Sequence, residues 1–205
     1  MSSEIKVSSL KAKDGTAGIS ISDSTGNVSL SGTLSAGTIG SSVTGFGLIT
    51  GADQWRYNTS LTTPSSQTVI STDSNWERND TNFDKIGTGM GGPTSGVFTF
   101  PATGIWFIQA INIMRANTSD TLFSLALIIE LDPGTGSFSN IATGTGSSPA
   151  QYFHSNQVCS AIVDVTNSST FKVRFSLNAP STTGQMSGDT SENVNSFTFI
   201  RLGDT

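Results

Sequence analysis

The chain has 205 residues, a formal net charge of −5 and charged side chains at only 12% of its positions. Its 10 Lys and Arg are scattered singly, so there is no basic stripe to hold a polyanion, and nucleic acid and anionic membrane are excluded as expected partners. The 22 Gly, 12 Phe and abundant Ser and Thr, with no segment rich in Ala, Glu, Lys and Leu, favour short strands joined by turns over helices.

The opening residues, from Met1 to Val7, have no basic stretch leading into an apolar run and no small-residue cleavage site, so they do not read as a secretory signal. The longest apolar run, 122–131, is broken by Ser124 and Glu130 and is far shorter than the ~20 residues a membrane helix needs. A soluble chain made in a cytoplasm is expected, without membrane insertion.

Residues 1–50 differ in texture from the rest. They hold no Trp or Tyr and a single Phe, Phe46, in a background of Ser, Gly and Thr. Ile19, Ile21, Val28, Leu30, Leu34, Ile39 and Val43 form short alternating pieces separated by Gly-containing turns. Burying these few side chains falls short of the entropy lost on ordering the segment, so it is either a disordered linker or orders on neighbouring chains or a docking surface, and the regular placement of β-branched residues favours the second. It reads as an anchor or stalk, and composition shifts to a second domain, 51–205, at Gly51 and Ala52.

That second domain reads as strands throughout: 67–70, 83–86, 96–100, 104–114, 123–131, 138–142, 157–165, 170–178 and 196–202. Asp132, Pro133 and Gly134 form a turn between two of them, Pro presetting one torsion and Gly supplying the other. The pattern predicts an all-β antiparallel sandwich of the jelly-roll type. The strand 104–114 is apolar on both faces, with Ile105, Phe107, Ile111 and Ile113 on one and Trp106, Ile108, Ala110 and Met114 on the other. One face needs the sandwich core and the other needs a neighbouring subunit or a long loop.

Recognisable chemistry is sparse. The single histidine, His154, sits ahead of a strand with no nucleophile elbow in the sequence, and reads as a turn or surface residue. Gly87, Gly89 and Gly92 match the spacing of a dinucleotide fingerprint, but Pro93 and a strand follow where a helix is required, so the stretch reads as a flexible loop. Asp73, Asn75, Glu77 and Asn79 alternate like calcium ligands, with Asp84 at the closing position, yet Arg78 stands where the turn needs Gly; a polar, solvated loop is favoured. Cys159, the single cysteine, lies in an apolar strand and is expected to be buried. No cofactor or metal is expected.

The stretch from Ser95 to Ala110, SGVFTFPATGIWFIQA, resembles the globular-head family of complement and its tumour-necrosis-factor-like relatives. Phe98 and Gly104 match the spacing of that family's signature, Trp106 stands where Tyr is usual, and Ile108 where Phe is usual. Residues 87–93 look like an insertion ahead of it, and 196–202 is similar to the closing strand. The resemblance implies a ten-stranded jelly roll that assembles as a homotrimer, with Phe98, Phe100, Gly104, Trp106 and Ile108 packing the core or the trimer. A second resemblance, carried by the motifs from Ala52 to Arg56 and from Ser74 to Arg78 and by the opening Ile5, Lys6, Val7 and Asp14, Gly15, Thr16, is to virion proteins of marine tailed phages.

Together these imply a non-enzymatic structural virion protein: a trimeric fibre, spike or decoration protein, anchored to other particle proteins through Ile5, Val7 and Leu10. A rival is a tail-associated adhesin that recognises host glycan or protein with the polar loops 115–120, 144–155 and 179–195, where Arg115, Asn117, Asp120 and His154 would make contacts. A polysaccharide depolymerase is a third reading, although no carboxylate pair stands out as acid and nucleophile.

Overall fold

The computed structural model describes residues 49–79, 83–119 and 122–205, and by backbone alone Phe123 and three short strands near the N-terminus. The chain divides into two compact units, Met1–Phe46 and Gly47–Thr205. In the first, β1 (Ser9–Lys11), β2 (Ala17–Ile21) and β3 (Val28–Leu30) pair as an antiparallel meander, Leu10 opposite Ile19 and Ile19 opposite Leu30. Of the proposed anchor residues, Leu10 thus lies in β1, while Ile5 and Val7 fall outside the described residues.

The second unit begins with β4 (Ala52–Tyr57), β5 (Leu61–Thr62), β6 (Thr68–Val69), a 3-10 turn at Asp73–Asn75, β7 (Trp76–Arg78), β8 (Lys85–Ile86), β9 (Gly91–Thr94) and β10 (Val97–Thr99). The long strands follow: β11 (Gly104–Ala116), β12 (Leu122–Pro133), β13 (Ser139–Ser148), β14 (His154–Val165) and β15 (Phe171–Asn178), then β16 (Gly184–Met186) and β17 (Asn195–Gly203). One sheet runs β13-β12-β15-β10-β9, with β6 added to β15. In the other, β11 lies between β14 and β17, β17 pairs β4, and β16, β5, β7 and β8 extend it. Sequence-distant strands are therefore neighbours within each sheet, and the two sheets face one another as an antiparallel jelly roll.

Period-two alternation decides what fills the space between the sheets. Along β11 the even positions, from Gly104 to Ala116, are buried and the odd ones are half-exposed. Trp106, Ile108, Ala110 and Met114 join Phe98, Phe175, Phe197 and Phe199 in one core. Its centre is Trp76, whose ring lies 5.0 Å from Phe98 and 4.6 Å from Phe197 with edge-on geometry. A row of amides crosses this core: Asn112 stands opposite Gln157 on one side and Asn195 on the other, all three buried. Asn195 is satisfied by the backbone of Tyr57 and Ser187, whereas neither side-chain polar atom of Asn112 makes a hydrogen bond.

Two stretches read as loops from sequence are ordered parts of the sheets. The calcium-like run is not a solvated loop: Trp76, Glu77 and Arg78 form β7, which pairs with β4 so that Trp55 faces Arg78 and Arg56 faces Glu77. Its side chains point to different partners and do not converge on one point. The Asp73 carboxylate accepts from the Ser95 and Gly96 backbone, Glu77 pairs with Arg56, and Asn79 donates to Gln54. The glycine-rich stretch is not flexible either. It is a turn that runs into edge strand β9, pinned where the Met90 N–H donates to the buried Asp53 carboxylate at 2.7 Å.

Glu130 and Arg174 pair on the outer face of the first sheet, with Arg174 Nε 3.0 Å from Glu130 Oε2 and Ser176 also donating to the carboxylate. Burial pushes the Glu130 carboxyl up, but the hydrogen bonds from Arg174 and Ser176 and the charge of Arg174 outweigh it and leave the group below its ordinary value. A carboxyl depressed in the folded state contributes stability that is complete above its ordinary pKa of 4.5 and is lost as pH falls below that toward the folded value. The melting-temperature gap between the parent and Glu130→Gln is therefore expected to be constant near neutral pH and to close in acid; a gap independent of pH contradicts the pairing.

Trp106 is 1% exposed, its ring 5.5 Å from Phe100 and its indole N–H donating to the Ala102 carbonyl. Replacing it with Ala should cost about 3–5 kcal/mol. Denaturant unfolding measures this, and a variant with the parent's midpoint would show that Trp106 packs nothing.

Candidate functional site

The residue chemistry that remains outside the core gathers on the outward face of the β14-β11-β17 sheet. From β11 come Ile105, Phe107, Gln109, Ile111, Ile113 and Arg115. The strand register sets Ile162 beside Phe107, Val158 beside Ile111 and His154 beside Arg115 on the β14 side, and Ile200 beside Phe107 on the β17 side. Ile162 is 68% exposed and Val158 51% exposed. Apolar rows on this face, Phe107 with Ile162 and Ile200 and Ile111 with Val158, flank a polar row of Gln109, Ser160 and Thr198, and its ends are polar, with Arg115, His154 and Asn156 at one end and Asp164 at the other. Exposed apolar side chains grouped within a polar surround are the composition of a contact between folded subunits.

The residues read from sequence as packing the core or the trimer separate cleanly. Phe98, Phe100, Trp106 and Ile108 are in the core, at most 4% exposed, and offer nothing to a neighbour. Gly104 is buried with φ +134, and a Cβ there would meet the Gly203 carbonyl oxygen at 2.4 Å, so it serves the chain's own closing strand. The other half of the same strand, Ile105, Phe107, Ile111 and Ile113, is half-exposed on the outward face.

The proposed receptor loops run partly into strand. Arg115 and Ala116 end β11, residues 144–148 end β13, His154 and Ser155 begin β14, and β16 lies inside 179–195. β13 crosses β14 so closely that a Cβ on Gly144 would lie 2.3 Å from the Val158 carbonyl oxygen. This glycine closes one side of the sandwich and is not a contact loop. Arg115 and His154 are brought together across β11 and β14, Asn117 follows Arg115 with its carbonyl accepting from Gln151 Nε2 at 2.7 Å, and Asp120 lies outside the described residues. Sequence reading passed over Tyr152 and Phe153 beside them, which are 61% and 60% exposed. Two adjacent large aromatics in a Ser, Pro and Asn connection were the available signal.

Cys159 is buried on the inward side of β14, its Sγ 3.5 Å from the Leu127 carbonyl oxygen, and burial pushes its pKa up to about 11. It is a packed thiol and not a nucleophile.

No family model matches the chain, and no curated protein matches it in sequence. Solved structures do match its fold. Murine APRIL at pH 8.5 superposes with a TM-score of 0.53 at 12% identity, over 74% of this chain and 98% of that one. Murine APRIL at pH 5.0 gives 0.52 at 12%, with the same coverage. Eiger TNF from S. frugiperda gives 0.50 at 10%, over 75% of this chain and 93% of the other. The head is a tumour-necrosis-factor-like jelly roll.

The sheet face predicts its own test. Ile162→Asp places a charge at the most exposed point of the apolar rows, and is expected to lower the mass in light scattering to the monomer's 21.3 kDa while leaving the melting of the fold nearly unchanged. A parent protein that is already 21.3 kDa at micromolar concentration removes the subunit contact altogether.

Proposed function

We propose that this chain is a non-catalytic structural protein whose head works as a homotrimer, carried on a tailed-phage particle as a fibre, spike or decoration protein. The observation that carries the reading is the apolar face of β14, β11 and β17, which the head does not cover with its own residues at Val158 and Ile162. A stoichiometry of three is supported by the jelly-roll fold and by the trimeric family that the signature around Phe98 and Gly104 resembles. The non-catalytic reading draws support from the employment of the carboxylates. Asp53, Asp73, Glu77, Glu130 and Asp132 are all engaged with arginines or backbone N–H groups that hold strands and turns together.

The particle location is supported by the resemblance of the opening and of the two Trp-containing motifs to virion proteins, and by the order of a short-stranded unit before a head. In this reading the chain is made in the host cytoplasm and joins the particle through its first unit, with Ile5, Val7 and Leu10 as contacts to capsid or tail proteins. A tail-associated attachment role for the same trimer is favoured by a separate observation, the exposed rings of Tyr152 and Phe153.

A chain beginning at Gly51 tests the division of labour. It is expected to fold and to give the trimer mass in light scattering, and to fail to sediment with particles that take up the full-length chain. Normal uptake of the shortened protein would show that the head carries the anchor.

A further inference from the structure

At the polar end of the sheet face, residues 149–153 fold back over the last residues of β11. The Tyr152 N–H donates to the Ala116 carbonyl at 2.9 Å, the Phe153 N–H to Ala150 at 3.1 Å, and Gln151 Nε2 to Asn117 at 2.7 Å. Ser148 Oγ accepts from the Ala116 N–H at 3.0 Å and donates to the Phe153 carbonyl at 2.7 Å. Held in this frame, Tyr152 has φ +62, a conformation that a bulky side chain adopts only under constraint from its surroundings. The constraint does not bury the ring. It holds two large aromatics in water, at 61% and 60% exposure, on a rigid support.

A cation completes the surface. The Arg115 guanidinium lies 5.3 Å from the centre of the Tyr152 ring, and its Nε and Nη2 both donate to Gln185 Oε1, at 3.2 and 2.8 Å, which fixes the plane of the fork. His154 stands opposite Arg115 in the strand register. Along β14 the outward positions from His154 to Ile162 hold no carboxylate; the first is Asp164, at the far end. In a chain of net charge −5, this end of the sheet is locally suited to an anion.

We propose that this platform binds a carboxylate-bearing sugar, with the C–H face of the pyranose on the exposed aromatic rings and the carboxylate on Arg115, beside His154. A planar guanidinium held by a neighbouring amide is a fork for a carboxylate. Exposed rings fixed in a strained connection provide the flat apolar partner that a sugar face needs, and the amides of Asn117, Gln151 and Asn156 lie at the margin for hydroxyls. The proposal rests on the attachment form of the reading above.

The test uses the full chain and three probes in calorimetry: hexagalacturonate, sialyllactose and the neutral maltohexaose. Saturable binding of an acidic probe is expected, with maltohexaose weaker by about tenfold or more, and with Tyr152→Ala and Arg115→Gln each lowering acidic-probe affinity by a similar factor at unchanged trimer mass. If Tyr152→Ala does not fold, Phe153→Ser and Arg115→Gln decide. No saturable binding of either acidic probe at millimolar concentration overturns the proposal, as does binding that survives all the substitutions. A loss of trimer mass in Tyr152→Ala also overturns it, because the rings are then a subunit contact. Mass and binding are read separately, so absent binding in an intact trimer removes the sugar site alone, whereas a monomeric parent removes the reading beneath it.

Discussion

β11 alternates with period two along its whole length, so its 13 residues divide between two environments of which only one lies inside the head. The even side meets Phe98, Phe175, Phe197 and Phe199, and every element of the core is arranged around it. The odd side carries side chains of the same kind, Ile105, Phe107, Ile111 and Ile113, with Val158, Ile162 and Ile200 next to them. Burying one such side chain is worth about 1.5–3 kcal/mol. Leaving the group in water forgoes a large fraction of what a second core would provide. The apolar outward side thus follows from the same alternation that builds the fold, and no slip of register could bury both sides, since a shift by one residue only exchanges them.

The edge of the head is organised by a buried carboxylate. Asp53 is 1% exposed and accepts from Arg78 Nε and Nη2, from the Trp55 indole and from the Met90 N–H, between 2.7 and 3.0 Å. Arg78 also lies over the Trp55 ring at 4.5 Å. β4, β7 and the turn before β9 meet at this one group. A buried charge paired with an arginine and accepting further hydrogen bonds is tolerable, while one deprived of its arginine is not. The two Trp-containing motifs are therefore two halves of one pairing, joined by Asp53 to Arg78 and by Arg56 to Glu77.

Long strands were legible because an apolar run bounded by Gly, Pro or Asn states both its length and its ends, as in 104–114 and 170–178. The jelly roll followed from their number and from the signature around Phe98 and Gly104. Short strands were legible only in part: β6, β8 and β10 fall within the predicted 67–70, 83–86 and 96–100, whereas β7 and β9 were read as loops. β7 is three residues carrying Glu and Arg, and its Trp76 became the centre of the core only through contacts with Phe98 and Phe197, far away in sequence. β9 contains Gly91, Gly92 and Pro93, which signal a turn locally and form an edge strand because β10 offers a partner. The end of β13 is Thr, Gly and Ser, a loop composition that the crossing over Val158 requires instead. For the candidate surface, the two apolar faces of β11 could be read, but which one the core would claim depended on the facing sheet. Tyr152 and Phe153 were visible as residues, and their exposure was not.

The proposed sugar platform and the proposed subunit face belong to the same strands. Arg115 follows Ile113 on the odd side of β11, roughly 7 Å further along the strand, so apolar rows closed by neighbouring copies would leave this polar end next to the contact rather than inside it. Cyclic symmetry repeats the end in every subunit and points all copies the same way along the axis. Two exposed rings with one guanidinium offer few contacts and would hold a sugar only weakly. In the proposed trimer, three such sites on one head would engage a repeating polysaccharide with an effective concentration set by their spacing, and avidity would then exceed the single-site affinity without any further contact. The two proposals are in that sense mutually dependent: a subunit contact on this face would fix the orientation of the three ends, and their weak binding would become useful only when they are presented together.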